Sequence, residues 1–263
     1  MLDWIKPSWS APVNVRGIVT TRSGGYSAPP WDSMNLSQRV GDSAQTVDQN
    51  RQVLQQYLAN ENHAHEPVQW LNQVHGVKVV EGTYAGKSAT IAPVPMADAI
   101  YTTRPGLPIA VLTADCLPVF FCDELGTQVA VAHAGWRGLS AGVLEQTAAT
   151  FSCPPEKILT WFGPAIGPRQ FEVGDEVRHE MIAESRSVVD CEPFFVPQEG
   201  KPGYWRADLY GIAQAKLNSV GITYVAGGNF CTVSQAKHFY SYRRDNQTGR
   251  MASVIWLADY SAK

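Results

Sequence analysis

Two apolar runs of strand length, each ending abruptly in a polar motif, constrain this chain more than any other feature. Pro108-Ile109-Ala110-Val111-Leu112 leads into Thr113-Ala114-Asp115-Cys116-Leu117-Pro118, and Val129-Ala130-Val131-Ala132 leads into His133-Ala134-Gly135-Trp136-Arg137-Gly138. Short apolar runs bounded by breakers read as buried strands. A thiol and an imidazole then stand at the ends of two strands, where α/β folds open their ligand-binding crevices.

The rest of the chain supplies a mixed set of elements around these runs. Residues 13–22 alternate and carry β-branched side chains, so they read as a strand broken by Ser23-Gly24-Gly25. Residues 43–59 have helical spacing, with Asp42 or Ser43 as cap. Strands are expected at 68–71 and 77–80, with His75 at their junction, and again at 97–101. Residues 84–95, rich in Ala, Gly and Pro, read as a surface excursion. A helix is expected over 138–151, a strand over 158–162 and a breaker-rich turn over 163–168. Helices at 175–184 and at 209–220, the latter capped by Asp208, precede strands at 222–225 and 253–257. No repeat, low-complexity tract or linker divides residues 1–263. The expectation is one α/β (α+β) domain with at least two sheets' worth of strands.

Charge and composition narrow the partners. The net charge is −3 with a pI near 6.1, and no run of Lys and Arg occurs. An electrostatic footprint for nucleic acid or an anionic membrane is therefore unsupported. No apolar run reaches the roughly 18–20 residues that span a bilayer, and Met1 to Pro7 does not read as a secretory signal. The five Cys include no Cys-x-x-Cys pair, which argues against a disulfide framework. A cytoplasmic protein with reduced thiols, monomeric or a weak homo-oligomer, is expected.

His75, Cys116 and His133 all lie at strand ends beside Gly or Pro. Catalytic zinc sites take three protein ligands, mixed His/Cys sets among them, and keep a fourth position open. The plainer alternatives are a buried thiol and a hydrogen-bonded core imidazole. A third is a nucleophilic pair, Cys116 attacking with His133 or His75 as base. His63 and His65 belong to a polar turn, His179 to a polar helix and His238 to an aromatic stretch. Arg22, Arg137, Arg243 and Arg244 stand beside turn or aromatic residues and suggest anion handling, since guanidinium forks suit phosphate. A surface salt bridge is the ordinary alternative for each. Asp115 and Glu172 are candidate acid/base groups. Neither a phosphate-cradling P-loop nor a dinucleotide fingerprint is present.

Together with Thr20-Thr21-Arg22-Ser23-Gly24-Gly25, Asn72-Gln73-Val74-His75-Gly76, Gly163-Pro164-Ala165-Ile166-Gly167-Pro168 and Ser241-Tyr242-Arg243-Arg244-Asp245, the two opening motifs resemble the motif set of the YfiH-like family. That family is catalogued as laccase-type polyphenol oxidoreductases and as purine nucleoside phosphorylases. The resemblance runs from about residue 15 to the C-terminus, in the family's order. It implies a layered α/β sandwich with mixed sheets and flanking helices, and a zinc site of His75, Cys116 and His133. It further implies phosphorolysis of adenosine, inosine, guanosine and methylthioadenosine, and deamination of adenosine. Arg22, Arg137 and Arg243 are the phosphate candidates under that reading, with Asn35 and Gln73 as polar contacts.

Copper is the competing cofactor. A multicopper oxidase needs a His-rich cluster, whereas this chain has six His and one His-x-His pair. Three readings stay open: the zinc phosphorylase, a copper-linked phenol oxidase or cysteine hydrolase using Cys116, and a non-catalytic metal- or nucleoside-binding protein.

Overall fold

Successive residues of a strand face opposite ways, and the run 117–123, buried at every position, shows what that does here. Leu117, Val119 and Phe121 enter one core while Phe120 and Cys122 enter another. A strand apolar on both faces must lie between two layers.

The computed structural model describes residues 2–61, 63–83, 94–185 and 189–260. Its strands are β1 (Val15–Val19), β2 (Val79–Glu81), β3 (Ala99–Thr102), β4 (Ile109–Thr113), β5 (Leu117–Asp123), β6 (Val129–Ala134), β7 (Ile158–Phe162), β8 (Glu172–Gly174), β9 (Phe195–Pro197), β10 (Tyr204–Ala207), β11 (Tyr224–Gly227) and β12 (Met251–Leu257). The helices are α1 (Ala44–Glu61), α2 (Trp136–Ala141), α3 (Val143–Ala148), α4 (Asp175–Ser185), α5 (Leu209–Ser219) and α6 (Tyr242–Asp245). None is long and apolar enough to cross a membrane.

A six-stranded mixed sheet, ordered β11-β7-β5-β6-β3-β2, forms the centre. Its outermost pairs are parallel and its inner pairs antiparallel. One face packs against α2, α3 and α5 through Leu139, Leu144 and Leu217. The other packs against the sheet β1-β12-β4, where Val19, Val111 and Ile255 meet Phe120 and Val131. The outer face of that second sheet carries Ile18, Val254 and Trp256, which α1 covers with Leu54 and Leu58. The expected layered sandwich with mixed sheets and flanking helices is thus the observed architecture.

Several elements differ from the sequence expectation for identifiable reasons. The helix expected over 138–151 is two short helices, because Gly142 adopts φ 101° and its N–H caps the carbonyls of Gly138 and Leu139. The carbonyl of Ser140, freed by the break, accepts from the buried Lys216 Nζ at 3.2 Å, and the same ammonium pairs with Glu145 at 2.8 Å. Residues 68–71 form no strand and touch the sheets through an isolated bridge, Gln69 with Ile109. A third sheet, β8-β10-β9, was not expected at all; its strands are three or four residues long, too short for a period to show. The excursion expected at 84–95 falls mostly outside the described residues. The cap of α5 is as expected, Asp208 accepting from the Gly211 N–H at 3.1 Å.

Only glycine takes the left-handed conformation at position 142 without steric cost. Gly142→Ala is expected to lower unfolding stability by about 1–2 kcal/mol; an unchanged urea midpoint would show that the helical break is not set by this residue.

Candidate active site

The three candidate ligands come from the ends of three strands. Cys116 immediately precedes β5, His133 is the penultimate residue of the neighbouring β6, and His75 comes from the turn ahead of β2. The sulfur of Cys116 lies 3.8 Å from His75 Nε2, and the two imidazole rings are 4.8 Å apart, nearly perpendicular. One ligand atom from each of the three lies within 4.8 Å of the others. The three residues taken from the sequence as a ligand set are therefore brought together, and they form a group able to hold one metal ion. It is such a group found among the described residues, where His63, His65, His179 and His238 take no part.

The surroundings fit a metal ion. A Cβ at Gly135 would stand 2.8 Å from the His75 ring and 3.1 Å from the Cys116 sulfur, so glycine leaves room for the ligands to converge. A Cβ at Gly138 would fall 2.7 Å from the carbonyl of Gly76. That contact lets α2 close directly on the His75 turn.

Asp98, not singled out from the sequence, organises two of the three ligands. Its fully buried carboxylate accepts from His133 Nδ1 at 2.9 Å, from the N–H of His75 at 2.9 Å and of Gly76 at 2.7 Å, and from Val74 N–H at 3.2 Å. Three successive N–H groups closing on one anion make a backbone nest. The nest accounts for the φ of 60° at His75, a conformation costing a non-glycine residue about 1–3 kcal/mol when unsupported. Because a carboxylate only accepts, the His133 ring proton sits on Nδ1, which leaves Nε2 free to coordinate. Burial opposes ionisation of Asp98, but the hydrogen bonds from His133 and the nest outweigh it and hold the carboxyl below its ordinary value. A lone charged residue ahead of a strand was the available signal.

Burial likewise opposes ionisation of Cys116, yet the adjacent His133 and His75 rings bring its thiol down to about 6. For His133, burial favours the neutral ring, while the Cys116 sulfur and Asp98 raise it to about 9. Each of the two thus favours the charged form of the other, and a metal ion at this site would compete with protons for the same sulfur and ring nitrogen.

Asp115 has both carboxylate oxygens engaged. Oδ1 accepts from Thr232 Oγ1 at 2.5 Å and Oδ2 from the Arg243 N–H at 2.6 Å, at a backbone φ of 93°. These bonds pin the bend that delivers Cys116. Gln73 clamps β4 through both amide atoms, donating to the Leu112 carbonyl at 2.7 Å and accepting from its N–H at 2.8 Å. Asn35 is fully buried and accepts from the Arg250 N–H at 3.0 Å.

A cavity of about 350 Å³ opens beside the ligand trio. Gln73, Leu112, Thr113, Tyr242, Arg39 and Arg250 contribute to its wall with the trio itself. Other sequence candidates lie elsewhere. Arg22 pairs with Asp32 at 3.3 Å and lines a separate cavity with Lys237. Arg137 is exposed and lies over the Trp136 ring, while Arg243 donates to the Glu172 carbonyl at 2.8 Å. Arg244 is taken up by Asp245 at 2.6 Å, and the Glu172 carboxylate by Lys201 at 3.0 Å.

Residues 16–258 match the family described as multi-copper polyphenol oxidoreductase laccase. The chain belongs to this family, which includes YfiH. It is 48% identical over 262 residues to the purine nucleoside phosphorylase PA4543 of Pseudomonas aeruginosa, covering 98% of this chain and 100% of that one. It is 47% identical over 260 residues to the purine nucleoside phosphorylase YfiH of Escherichia coli, again with 98% and 100% coverage. Among solved structures, Neisseria meningitidis NMB0706 superposes with a TM-score of 0.87 at 41% identity, over 98% of this chain and 100% of the other. YlmD of Geobacillus stearothermophilus gives 0.78 at 30% identity, covering 94% and 93%. The fold of these relatives is therefore shared over nearly the whole length of the chain.

Asp98→Asn keeps the shape of the side chain but removes its charge, and it is expected to weaken metal binding about 10–100-fold in chelator competition. Equal affinity in the two proteins would remove Asp98 from the metal site. In metal-free protein, alkylation of Cys116 followed by peptide mapping should stay fast near neutral pH and slow as pH falls through about 6, because its lowered pKa keeps the thiolate populated above that point. His133→Ala should move that transition upward, toward the ordinary thiol value of about 8.5.

Proposed function

We propose that this protein is a zinc-dependent purine nucleoside phosphorylase acting on adenosine, inosine, guanosine and methylthioadenosine, with a side activity as an adenosine deaminase. The observation that carries the reading is the convergence of His75, Cys116 and His133 on a cavity large enough for a nucleoside. Relatives matched along their whole length and named purine nucleoside phosphorylases support it.

In phosphorolysis a phosphate oxygen forms a bond to C1′ of the ribose as the C1′–N9 bond breaks. The electron pair of that bond leaves with the purine, which takes up a proton, and the products are free base and ribose 1-phosphate. Deamination is a separate addition of water at C6 of adenine with loss of ammonia. Zinc held by the trio supplies a Lewis acid that stabilises charge developing on the substrate. The chain's own contribution is positional. Asp98 fixes the ring of His133 and the backbone of His75, Asp115 holds the bend at Cys116, and Gln73 fixes the strand end that forms the wall. Tyr242 is exposed at the cavity, with the Arg250 guanidinium over its ring at 5.8 Å from the centroid.

Zinc is favoured over a copper cluster by donor count. One thiolate and two imidazoles suit a single four-coordinate ion with an open corner. A multicopper centre needs further histidine clusters, and the other imidazoles lie apart: His63 packs on Tyr260 and His238 faces Asp3 at 3.4 Å.

Incubation with adenosine is expected to release adenine only when phosphate is present, with inosine formed independently of phosphate. Cys116→Ala and His133→Ala should each cut adenine release at least about a hundredfold and lower the zinc content. Undiminished release from both variants would defeat the reading, as would phenol oxidation without turnover of any nucleoside.

A further inference from the structure

The cavity beside the ligand trio has an unbalanced charge. Arg39 and Arg250 both contribute to its wall, and no aspartate or glutamate does. Of the other arginine-bearing cavities, those at Arg22, Arg51 and Arg169 include Asp32, Asp48 and Asp208 respectively, whereas the one at Arg16 and Lys6 also has no carboxylate. Arg250 is half-buried, and burial draws its guanidinium below the ordinary arginine range against the pull of Cys116 and Asp115. Its Nη1 donates to the carbonyls of Thr248 and Gly249 at 2.9 and 3.0 Å, while no carboxylate pairs with it among the described residues. Arg39 is exposed and donates to the neutral Asn72 amide.

A partly desolvated guanidinium with no carboxylate in direct contact is stabilised when a ligand supplies a counter-charge. Thr113 adds a second observation. It contributes to the same wall, is 2% exposed, and its Oγ1 has no hydrogen-bond partner among the described residues. A buried hydroxyl left so costs about 1–3 kcal/mol, which an acceptor on a ligand would relieve.

We propose that Arg39, Arg250 and Thr113 form an oxyanion subsite of this cavity that takes inorganic phosphate beside the His75–Cys116–His133 trio. The two guanidiniums supply charge from two chain segments and the threonine hydroxyl donates to a third oxygen. Tetrahedral phosphate has the acceptors for all three. The buried Asn35 serves this subsite indirectly, because its side chain holds the Arg250 backbone N–H and so fixes where that arginine starts. Choosing phosphate among oxyanions rests on the phosphorylase reading; the existence of an anion site at these residues does not.

Binding and turnover test the two separately. Inorganic phosphate should raise the Tm of the zinc-loaded protein relative to chloride at matched ionic strength, without nucleoside present. Arg250→Gln and Arg39→Gln should each abolish most of that rise, while the conservative Arg250→Lys retains part of it. Thr113→Val, close in shape and confined to one hydroxyl, should weaken phosphate binding by about three- to tenfold. In the turnover assay the KM for phosphate is expected to rise about tenfold or more in Arg250→Gln, with the KM for adenosine changing far less and zinc content unchanged. A protein that binds phosphate through Arg250 yet cleaves no nucleoside keeps this subsite and removes the phosphorylase reading. Phosphate-dependent cleavage whose phosphate KM is the same in wild type, Arg39→Gln and Thr113→Val overturns the subsite, as does the absence of any phosphate-specific Tm shift in the wild type.

Discussion

One buried carboxylate holds the candidate centre together. Asp98 stands ahead of β3, grips the turn that carries His75 through three consecutive N–H groups, and bonds the ring of His133 on β6. Removing a carboxylate from water is expensive, and only a full set of donors offsets that cost. The same donors determine where two imidazoles point. Two ligands that are far apart in the chain thus share a single anchor, and the orientation of one is mechanically linked to the backbone of the other.

The packing of the two sheets explains why this anchor lies beside a cavity. Strand β5 is apolar on both faces and is covered on both, so side chains can reach open space only where strands end. At this edge β4 stops at Thr113, β5 begins after Cys116, β6 ends at Ala134 and β12 begins after Arg250. Glycines at 135 and 138 then let α2 approach the ligands and the Gly76 carbonyl more closely than any side chain would allow. The cavity is what remains between sheet ends that diverge while the ligand trio converges.

The ligand trio was legible in the sequence because each member breaks an apolar run beside Gly or Pro, a pattern that survives without knowledge of the fold. The main sheets were legible for the same reason, as was the Asp208 cap of α5. Asp98 was not, since a carboxylate before a strand has the same local signature whether it faces water or a histidine ring. Arginines divided according to partners the sequence does not display: Arg22 meets Asp32, whereas Arg250, with no motif to mark it, reaches the cavity. The break at Gly142 was hidden because its flanking apolar residues keep helical spacing across it, and the freed Ser140 carbonyl is satisfied by Lys216, which lies far along the chain. Asp115 was noticed as a candidate acid or base, but its two oxygens serve Thr232 and the backbone of Arg243.

Strand β12 is inserted between β1 and β4, pairing with both. During synthesis His75, Cys116 and His133 leave the ribosome long before residues 250–257 do. Until then β1 and β4 have no common neighbour, and the inner face of the central sheet lacks Met251 and Ile255. The cavity wall is therefore completed by a segment that follows the trio far along the chain, so a nascent chain that captured a metal ion early would hold it in a centre still lacking one side.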